Sequence, residues 1–196
     1  MIAYVQGKIA RIDPAFAIID VNGIGYLVKI TLNTYSKIRE KSEVKLHTYF
    51  QVREDAQTLF GFAEEKEKLL FEQLISVSGV GGNTAVTILS SISADDLFTA
   101  IQNEDVTTLK RVKGIGAKTA GRIILELRDK ISIEGVEIVA GGGSQTSGHN
   151  KAEALNALAS LGFPKNQMSK KIDEILQKHG SDLSVEEIIK IALRNG

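Results

Sequence analysis

The chain has 196 residues, of which 43% are hydrophobic and 24% charged, values typical of a soluble protein with one or two ordinary domains. Its 24 basic and 24 acidic residues give a net charge of zero, so the overall charge does not indicate nucleic acid. The absence of cysteine excludes disulfides, thiolate metal sites and cysteine nucleophiles. No apolar run approaches a membrane span and no leader peptide is apparent, so we expect a cytoplasmic protein without a membrane anchor.

The first 63 residues are rich in apolar and β-branched residues and predict five short strands, with a short helix between the third and fourth. The predicted strands are residues 2–12, 15–21, 24–30, 44–52 and 58–62, and the helix is residues 32–39. Asn22 and Gly23 favour a tight hairpin turn between the second and third strands. Five strands in so short a segment predict a small closed barrel, of which the oligonucleotide-binding (OB) barrel is the commonest design. An SH3-like barrel is the alternative.

Two adjacent carboxylates, Glu54 and Asp55, lie between the last two predicted strands, where a hairpin tip is expected. In most proteins such a tip is only a solvated turn. Carboxylates pointed toward DNA would instead repel phosphates and hold strands apart where they diverge. A metal site is a third interpretation, but no third ligand lies nearby in the sequence.

Residues 64–134 are predicted to be helical, and they contain one sequence pattern twice. The copies are S-G-V-G-G-N-T-A at residues 78–85 and K-G-I-G-A-K-T-A at residues 113–120, which lie 35 residues apart. Each copy predicts a helix, a tight turn and a second helix that opens at Asn83 or Lys118. The two glycines of each turn allow positive φ twice, and the apolar residue between them, Val80 or Ile115, enters the core. A cap formed by Ser93 and Asp96 is predicted for the helix that connects the copies.

The helix after each turn would point its unpaired N–H groups and positive dipole end outward, and this arrangement suits a phosphate. A single turn of this kind is equally well a plain connector between helices. Two turns related by an approximate two-fold axis can hold phosphates on both strands across a minor groove. The duplication therefore resembles a tandem helix-hairpin-helix DNA-binding motif. A Walker A loop is set aside because Ala117 stands where that loop needs glycine, and a dinucleotide fingerprint is set aside because both copies follow helical patterns.

The charges of this helical region are unevenly distributed along the chain. Residues 64–109 have a net charge of −6, whereas residues 110–130 have a net charge of +5. This polarity predicts that one face meets phosphates and another faces water or a partner.

Residues 135–150 are rich in glycine and serine and predict a flexible linker. Residues 151–196 predict a module of three short amphipathic helices, similar to a UBA domain. The first helix is predicted over residues 152–161 and ends at Gly162, Pro164 opens the second, and Ser184 with Glu187 forms a capping box for the third. A small module on a flexible linker is typical of a domain that binds a partner protein. Its apolar residues could equally form its own core.

No enzyme chemistry can be recognised in the sequence. The three histidines, His47, His149 and His179, fall in a strand, the linker and a helix end, without metal-ligand spacing or a nucleophile-base pair. We therefore expect no catalytic residue, no metal and no cofactor. Repair glycosylases and some nucleases also use helix-hairpin-helix units, so an enzyme is the rival class of function.

The order of these features is more specific than any one of them. A barrel with V-R-E-D-A-Q at its tip precedes two hairpins, a linker and a three-helix tail containing A-L-A-S-L-G-F. Over essentially its full length the chain closely resembles the RuvA family, the Holliday-junction recognition subunit of the bacterial branch-migration machine. The resemblance implies a multidomain α+β protein of four parts, residues 1–63, 64–134, 135–150 and 151–196. It also implies a homotetramer or a double tetramer, which would be an octamer, that acts on four-way DNA junctions in recombination and repair.

The resemblance also assigns roles to residues of this chain. Glu54 and Asp55 match the family's acidic pin at the crossover. The residues that match the family's minor-groove backbone contacts are Gly79, Val80, Gly81, Asn83, Thr84, Gly114, Ile115, Gly116, Lys118, Thr119 and Arg122. Leu158, Leu161 and Phe163 match contacts with RuvB, the hexameric AAA+ motor that hydrolyses ATP. A junction resolvase is a further candidate partner. A general branched-DNA scaffold that works without a motor is the alternative function.

Two departures from the family pattern bear on how DNA is held. The family often has Pro-Lys after the first hairpin, where this chain has Gly82 and Asn83, and Lys-Lys after the second, where it has Ala117 and Lys118. Two cationic side chains are therefore missing. We expect the salt dependence of binding to be shallower than in relatives that retain those lysines.

Overall fold

This computed structural model describes residues 1–134, 146–180 and 183–194. The chain divides into two compact units, Met1–Val136 and Glu137–Gly196. Most of the predicted linker, residues 135–145, lies outside the described residues.

The first unit begins with a closed five-stranded barrel. Its elements are β1 (Tyr4–Asp13), β2 (Phe16–Val21), β3 (Ile24–Ile30), α1 (Leu32–Ile38), β4 (Glu43–Val52) and β5 (Gln57–Phe62). The strands close in the order β1-β2-β3-β5-β4, in which β1 pairs with both β2 and β4, and β3 runs parallel to β5. A five-stranded barrel of this order, with a helix between β3 and β4, is the OB design. The OB prediction is confirmed, and every predicted strand is found with its ends within two residues.

Local sequence signals account for much of the barrel. Asn22 and Gly23 have positive φ values of 52° and 88°, as the predicted two-residue turn requires. The carboxylate of Asp20 accepts a hydrogen bond of 2.8 Å from the Gly23 N–H and supports this turn. Inward-facing apolar residues fill the barrel, among them Ala17, Ile19, Val28, Ile30 and Leu46.

Five helices complete the first unit. They are α2 (Glu65–Ile75), α3 (Gly82–Ser91), α4 (Ala94–Gln102), α5 (Val106–Lys110) and α6 (Ala117–Glu134). The predicted cap of α4 is confirmed, because the Ser93 hydroxyl accepts a hydrogen bond of 3.1 Å from the Asp96 N–H. No single helix of the described residues is long and apolar enough to cross a membrane. Only α3 and α4 together meet that length and composition, and they are bent by 97°.

Aromatic side chains join the helices to the barrel. The Phe71 ring, on α2, lies 5.4 Å from the ring of Tyr49, 4.9 Å from Phe60 and 5.0 Å from Phe62, measured between ring centroids. Phe60, Phe62 and Phe71 are all buried in the core of the helical region. Because barrel and helices share this core, the tip of the barrel has a fixed position relative to the hairpins.

A buried carboxylate also links α1 to α2. Glu67 is only 3% exposed, and its two oxygens accept hydrogen bonds from the hydroxyls of Thr31 (2.5 Å) and Thr34 (2.8 Å). Each hydroxyl in turn accepts a backbone N–H, from Thr34 and Ala63 respectively. The network therefore satisfies all of its polar groups in the interior.

Burial raises the pKa of Glu67 above its ordinary value of 4.5, against the opposing effect of the two hydroxyl hydrogen bonds. The folded state therefore binds this proton more tightly than the unfolded state. The contribution of Glu67 to the free energy of unfolding is consequently larger below pH 4.5 and falls as the pH rises through the folded-state pKa.

We expect Glu67→Gln to remove this part of the pH dependence, because glutamine does not titrate. Urea unfolding of both proteins between about pH 4 and pH 8 checks this. The difference between the two unfolding free energies should change with pH in the stated direction. A difference that stays constant over that range would contradict the raised pKa.

The second unit contains α7 (Thr146–Ser160), α8 (Lys165–His179) and α9 (Val185–Arg194). Gly162 follows α7 with φ of 93°, and Pro164 is the N-cap of α8. The capping box before α9 is confirmed: the Glu187 carboxylate accepts the Ser184 N–H at 2.9 Å, and the Ser184 hydroxyl accepts the Glu187 N–H at 3.3 Å.

One predicted boundary in this unit is wrong. The first helix begins at Thr146 rather than at residue 152. Asn150 explains the difference, since its side-chain amide donates a hydrogen bond of 3.0 Å to the Leu183 carbonyl, just before α9. This contact joins Asn150 to the segment before α9, and the local sequence did not reveal it.

Candidate nucleic-acid interface

The two copies of the repeated sequence fold into turns with the same backbone hydrogen bonds. Three bonds of the first turn recur 35 positions later with lengths within 0.1 Å. Val77 N–Leu74 O (3.1 Å) corresponds to Val112 N–Leu109 O (3.1 Å). Val80 N–Val77 O (3.0 Å) corresponds to Ile115 N–Val112 O (3.1 Å), and Ala85 N–Gly81 O (2.9 Å) corresponds to Ala120 N–Gly116 O (2.9 Å). The structure therefore confirms a tandem helix-hairpin-helix.

Positive φ occurs once in each turn and not twice, so that detail of the prediction is wrong. Gly79 and Gly114 have φ of 90° and 88°, whereas Gly81 is extended with φ of −93° and Gly116 is not among the positive-φ glycines. The first glycine alone reverses the chain, and the second stands at the start of the following helix, where an extended backbone is usual. Val80 and Ile115 are buried as predicted.

The surroundings of the two turns differ. A Cβ atom at Gly82 would lie 2.6 Å from Cζ of Phe60, so glycine allows the start of α3 to rest directly on the barrel. In the second turn, a Cβ at Gly114 or Gly116 would meet no atom within 4 Å, and Ala117 is exposed. The first turn is thus covered on one side by the barrel, while the second faces open space.

Both helices that follow the turns begin one residue before the predicted positions, at Gly82 and Ala117. Asn83 and Lys118 are exposed, and Thr84 and Thr119 are half-buried. No side chain caps α3, so N–H groups of its first turn have no side-chain acceptor. Such N–H groups and the positive end of the helix dipole favour an anion.

Arg122 connects the two turns. Its Nη1 atom donates a hydrogen bond of 3.1 Å to the Ser78 carbonyl in the first turn, and its Nε lies 4.0 Å from a Glu126 carboxylate oxygen. The side chain is exposed and remains accessible to a ligand. Its hydrogen bond to Ser78 also links α6 to the first turn, a contact that the sequence did not indicate.

The positive charges of residues 110–130 are only partly neutralised by neighbouring carboxylates in the described part of the chain. Arg128 forms an ion pair with Glu104. Lys110, Lys113 and Lys118 are exposed and have no ion-pair partner within the described residues. These three ammonium groups are therefore free to meet phosphate.

The two carboxylates at the barrel tip are exposed. A hydrogen bond of 2.8 Å from the Arg53 N–H to the Ala56 carbonyl closes the turn that presents Glu54 and Asp55. Neither carboxylate has a hydrogen bond or ion pair with another residue in the described part of the chain. Asp55 also lines a cleft whose opposite wall is residues 81–84 of the first turn. No group of three potential ligands for a metal ion occurs in the described residues.

The structure separates the three candidate contact residues of the second unit. Leu158 is 0% exposed and belongs to the core of the module, whereas Leu161 and Phe163 are 62% and 40% exposed. Leu158 therefore supports the surface from beneath and cannot itself present much area to a partner. Leu193 on α9 is also exposed, at 44%, although the sequence pattern did not indicate it as a contact residue. Leu193 directly follows Ala192, which is buried, so an apolar side chain here falls outside the buried face of α9.

Family models and known relatives agree with this architecture. The model described as RuvA N terminal domain matches residues 1–61, that of a SAM-like helix-hairpin-helix tandem matches residues 71–129, and that of RuvA, C-terminal domain matches residues 150–195.

Similar proteins from three bacteria match the chain almost from end to end. The relative from Cytophaga hutchinsonii is 45% identical over 199 residues, and that from Bacteroides fragilis is 47% identical over 200 residues, each covering 99% of both chains. The relative from Flavobacterium psychrophilum is 44% identical over 196 residues and covers 100% of both. All three are named Holliday junction branch migration complex subunit RuvA. With this identity over its whole length, the chain belongs to the RuvA family.

Proposed function

We propose that this chain is the subunit of a branch-migration complex that binds four-way DNA junctions. The observation that carries the proposal is the pair of equivalent turns, which lie in the same compact unit as an exposed acidic tip. A unit of this kind can hold a duplex arm at one fixed distance from the crossover. The relatives' names describe the same kind of complex.

The turns bind the DNA backbone rather than the bases. The donors are backbone N–H groups around Gly79–Gly81 and Gly114–Gly116, with the side chains of Asn83, Thr84, Lys118, Thr119 and Arg122 beside them. Contacts of this type position DNA without selecting its sequence. This suits a protein that must remain bound while the sequence at the crossover changes during branch migration.

Four copies arranged with four-fold symmetry match the four arms of a junction, and a second tetramer on the opposite face would give an octamer. Glu54 and Asp55 then surround the crossover, where their charges repel phosphates and hold the strands apart. The chain itself carries out no catalysis. ATP hydrolysis belongs to the hexameric motor RuvB, which residues 151–196 recruit in the cytoplasm, and a junction resolvase can bind the same assembly.

A gel-shift competition at moderate salt tests this function. It compares an immobile four-way junction with linear duplex of the same sequence, each competing for the full-length protein. We expect a strong preference for the junction and two discrete shifted bands, from one and two tetramers. Equal affinity for both DNAs would overturn the assignment and would favour a repair enzyme as the class of function.

The acidic tip gives a second test. We expect Glu54→Gln with Asp55→Asn to keep or tighten junction binding, because two repulsive charges are removed. Strand separation at the crossover, followed by the fluorescence of a base analogue placed there, should fall. The matched control is Glu40→Gln with Glu43→Gln, which removes the same charge from exposed positions of the barrel away from the tip. A collapse of binding in the tip variant with the fold intact would refute the repulsion argument.

A further inference from the structure

The first hairpin lacks the cation that Lys118 supplies to the second, because Asn83 occupies the equivalent position. The structure places another cation there. The Nζ atom of Lys29, on β3 of the barrel, donates a hydrogen bond of 3.2 Å to Oδ1 of Asn83. A residue 54 positions away in the sequence thus brings a positive charge to the first turn.

The charge of Lys29 is not neutralised by the protein. Its side chain lies over the Phe60 ring, with Nζ 6.0 Å from the ring centroid, and its hydrogen-bond acceptor is a neutral amide. No carboxylate lies within ion-pair distance of Lys29 in the described residues. An ammonium group held by an amide and an aromatic face keeps its attraction for an anion.

The cleft around this group has the composition of an anion-binding surface. Lys29 and Arg53 come from the barrel, and residues 81–84 come from the hairpin. Arg53 is exposed without an ion-pair partner in the described chain, and its Nη2 would lie 3.7 Å from a Cβ at Gly81. Asp55 is the one carboxylate lining this cleft, at the side that belongs to the acidic tip. The two cations therefore outnumber the single negative charge.

We infer that Lys29, with Arg53 beside it, binds the DNA backbone at the first hairpin. It thereby supplies the positive charge that Lys118 supplies at the second hairpin. The inference rests on the proposed function. It identifies the barrel as part of the surface that holds the duplex arm. It also changes the expected salt dependence, because one of the two missing hairpin cations is replaced from a different element of the fold.

The test measures how the affinity of the full-length protein for an immobile junction and for linear duplex depends on salt. Lys29→Gln should lower the slope of log affinity against log salt by about 0.9 for each phosphate that the variant no longer neutralises. Lys29→Arg should restore the wild-type slope. The matched control is Lys8→Gln, which removes an equal charge from an exposed position on β1, a strand that borders neither β3 nor β5.

A purely structural function of Lys29 gives a different result. In that case Lys29→Gln would lower the thermal stability while leaving the salt slope at the wild-type value, and the inference would be wrong. An equal reduction of the slope in Lys8→Gln would also overturn it, since any barrel charge would then suffice. Failure of the proposed function is seen separately, as a wild-type protein that binds junction and duplex equally.

Discussion

Replacing Gly116 by valine is expected to weaken junction binding at least tenfold, or about 1.4 kcal/mol, while lowering the free energy of unfolding by no more than about 1 kcal/mol, because valine is less favourable than glycine at a helix N-cap. A Cβ atom at this position would meet no protein atom within 4 Å, and the backbone has no positive φ that valine would strain. The fold therefore tolerates the substitution. In the proposed complex, a DNA backbone approaches the N–H groups of the second turn through the same open space, so the valine would block it.

Gly114→Val provides the contrast. Its Cβ would also meet no atom within 4 Å, but its φ of 88° makes any L side chain costly, by about 1–2 kcal/mol. We expect this variant to lose both stability and affinity, whereas Gly116→Val loses mainly affinity. Thermal melts and gel shifts of the two proteins distinguish steric blocking from backbone strain. Wild-type affinity in Gly116→Val would show that DNA does not approach the second turn.

Glutamate at both Leu161 and Phe163 is expected to abolish stimulation of the motor's ATPase, while junction affinity stays within about twofold of wild type. Leu161 and Phe163 are 62% and 40% exposed and do not belong to the core cluster of the module, so their replacement leaves that core in place. In the complex, however, a carboxylate would be buried against an apolar partner surface without a counter-charge, and this is costly. The measurement is ATP hydrolysis by the hexameric motor on junction DNA.

Leu158→Ala separates the surface from the core of the same module. Leu158 is fully buried, and its truncation should cost about 2–5 kcal/mol, enough to unfold a module of this size. Loss of helical circular dichroism should therefore accompany loss of motor stimulation in Leu158→Ala but not in the double glutamate variant. Normal stimulation by the double variant would exclude this surface as the motor contact.

Much of the architecture was predictable because its signals are local. The Asn22-Gly23 turn, the cap at Ser93 and the capping box at Ser184 each involve residues within three positions of one another. The repeat at residues 78–85 and 113–120 was visible because duplicated turns need the same residues in the same order. Local backbone preferences and hydrophobic periodicity were therefore enough to predict a small barrel, with the OB design as its commonest form, and the tandem hairpins.

The contacts around the candidate interface connect residues far apart in the sequence. The close approach of Gly82 to Phe60, the hydrogen bond from Lys29 to Asn83 and the bridge from Arg122 to Ser78 all depend on how elements pack. Periodicity likewise could not tell that Leu158 is buried while Leu161 is exposed, because both are apolar and only three residues apart. The elements and their order follow from neighbouring residues, and the amino-acid sequence is sufficient to specify them. Which side chains meet the first hairpin and which face outward became clear only from the packed fold, because burial and electrostatic environment depend on distances in space.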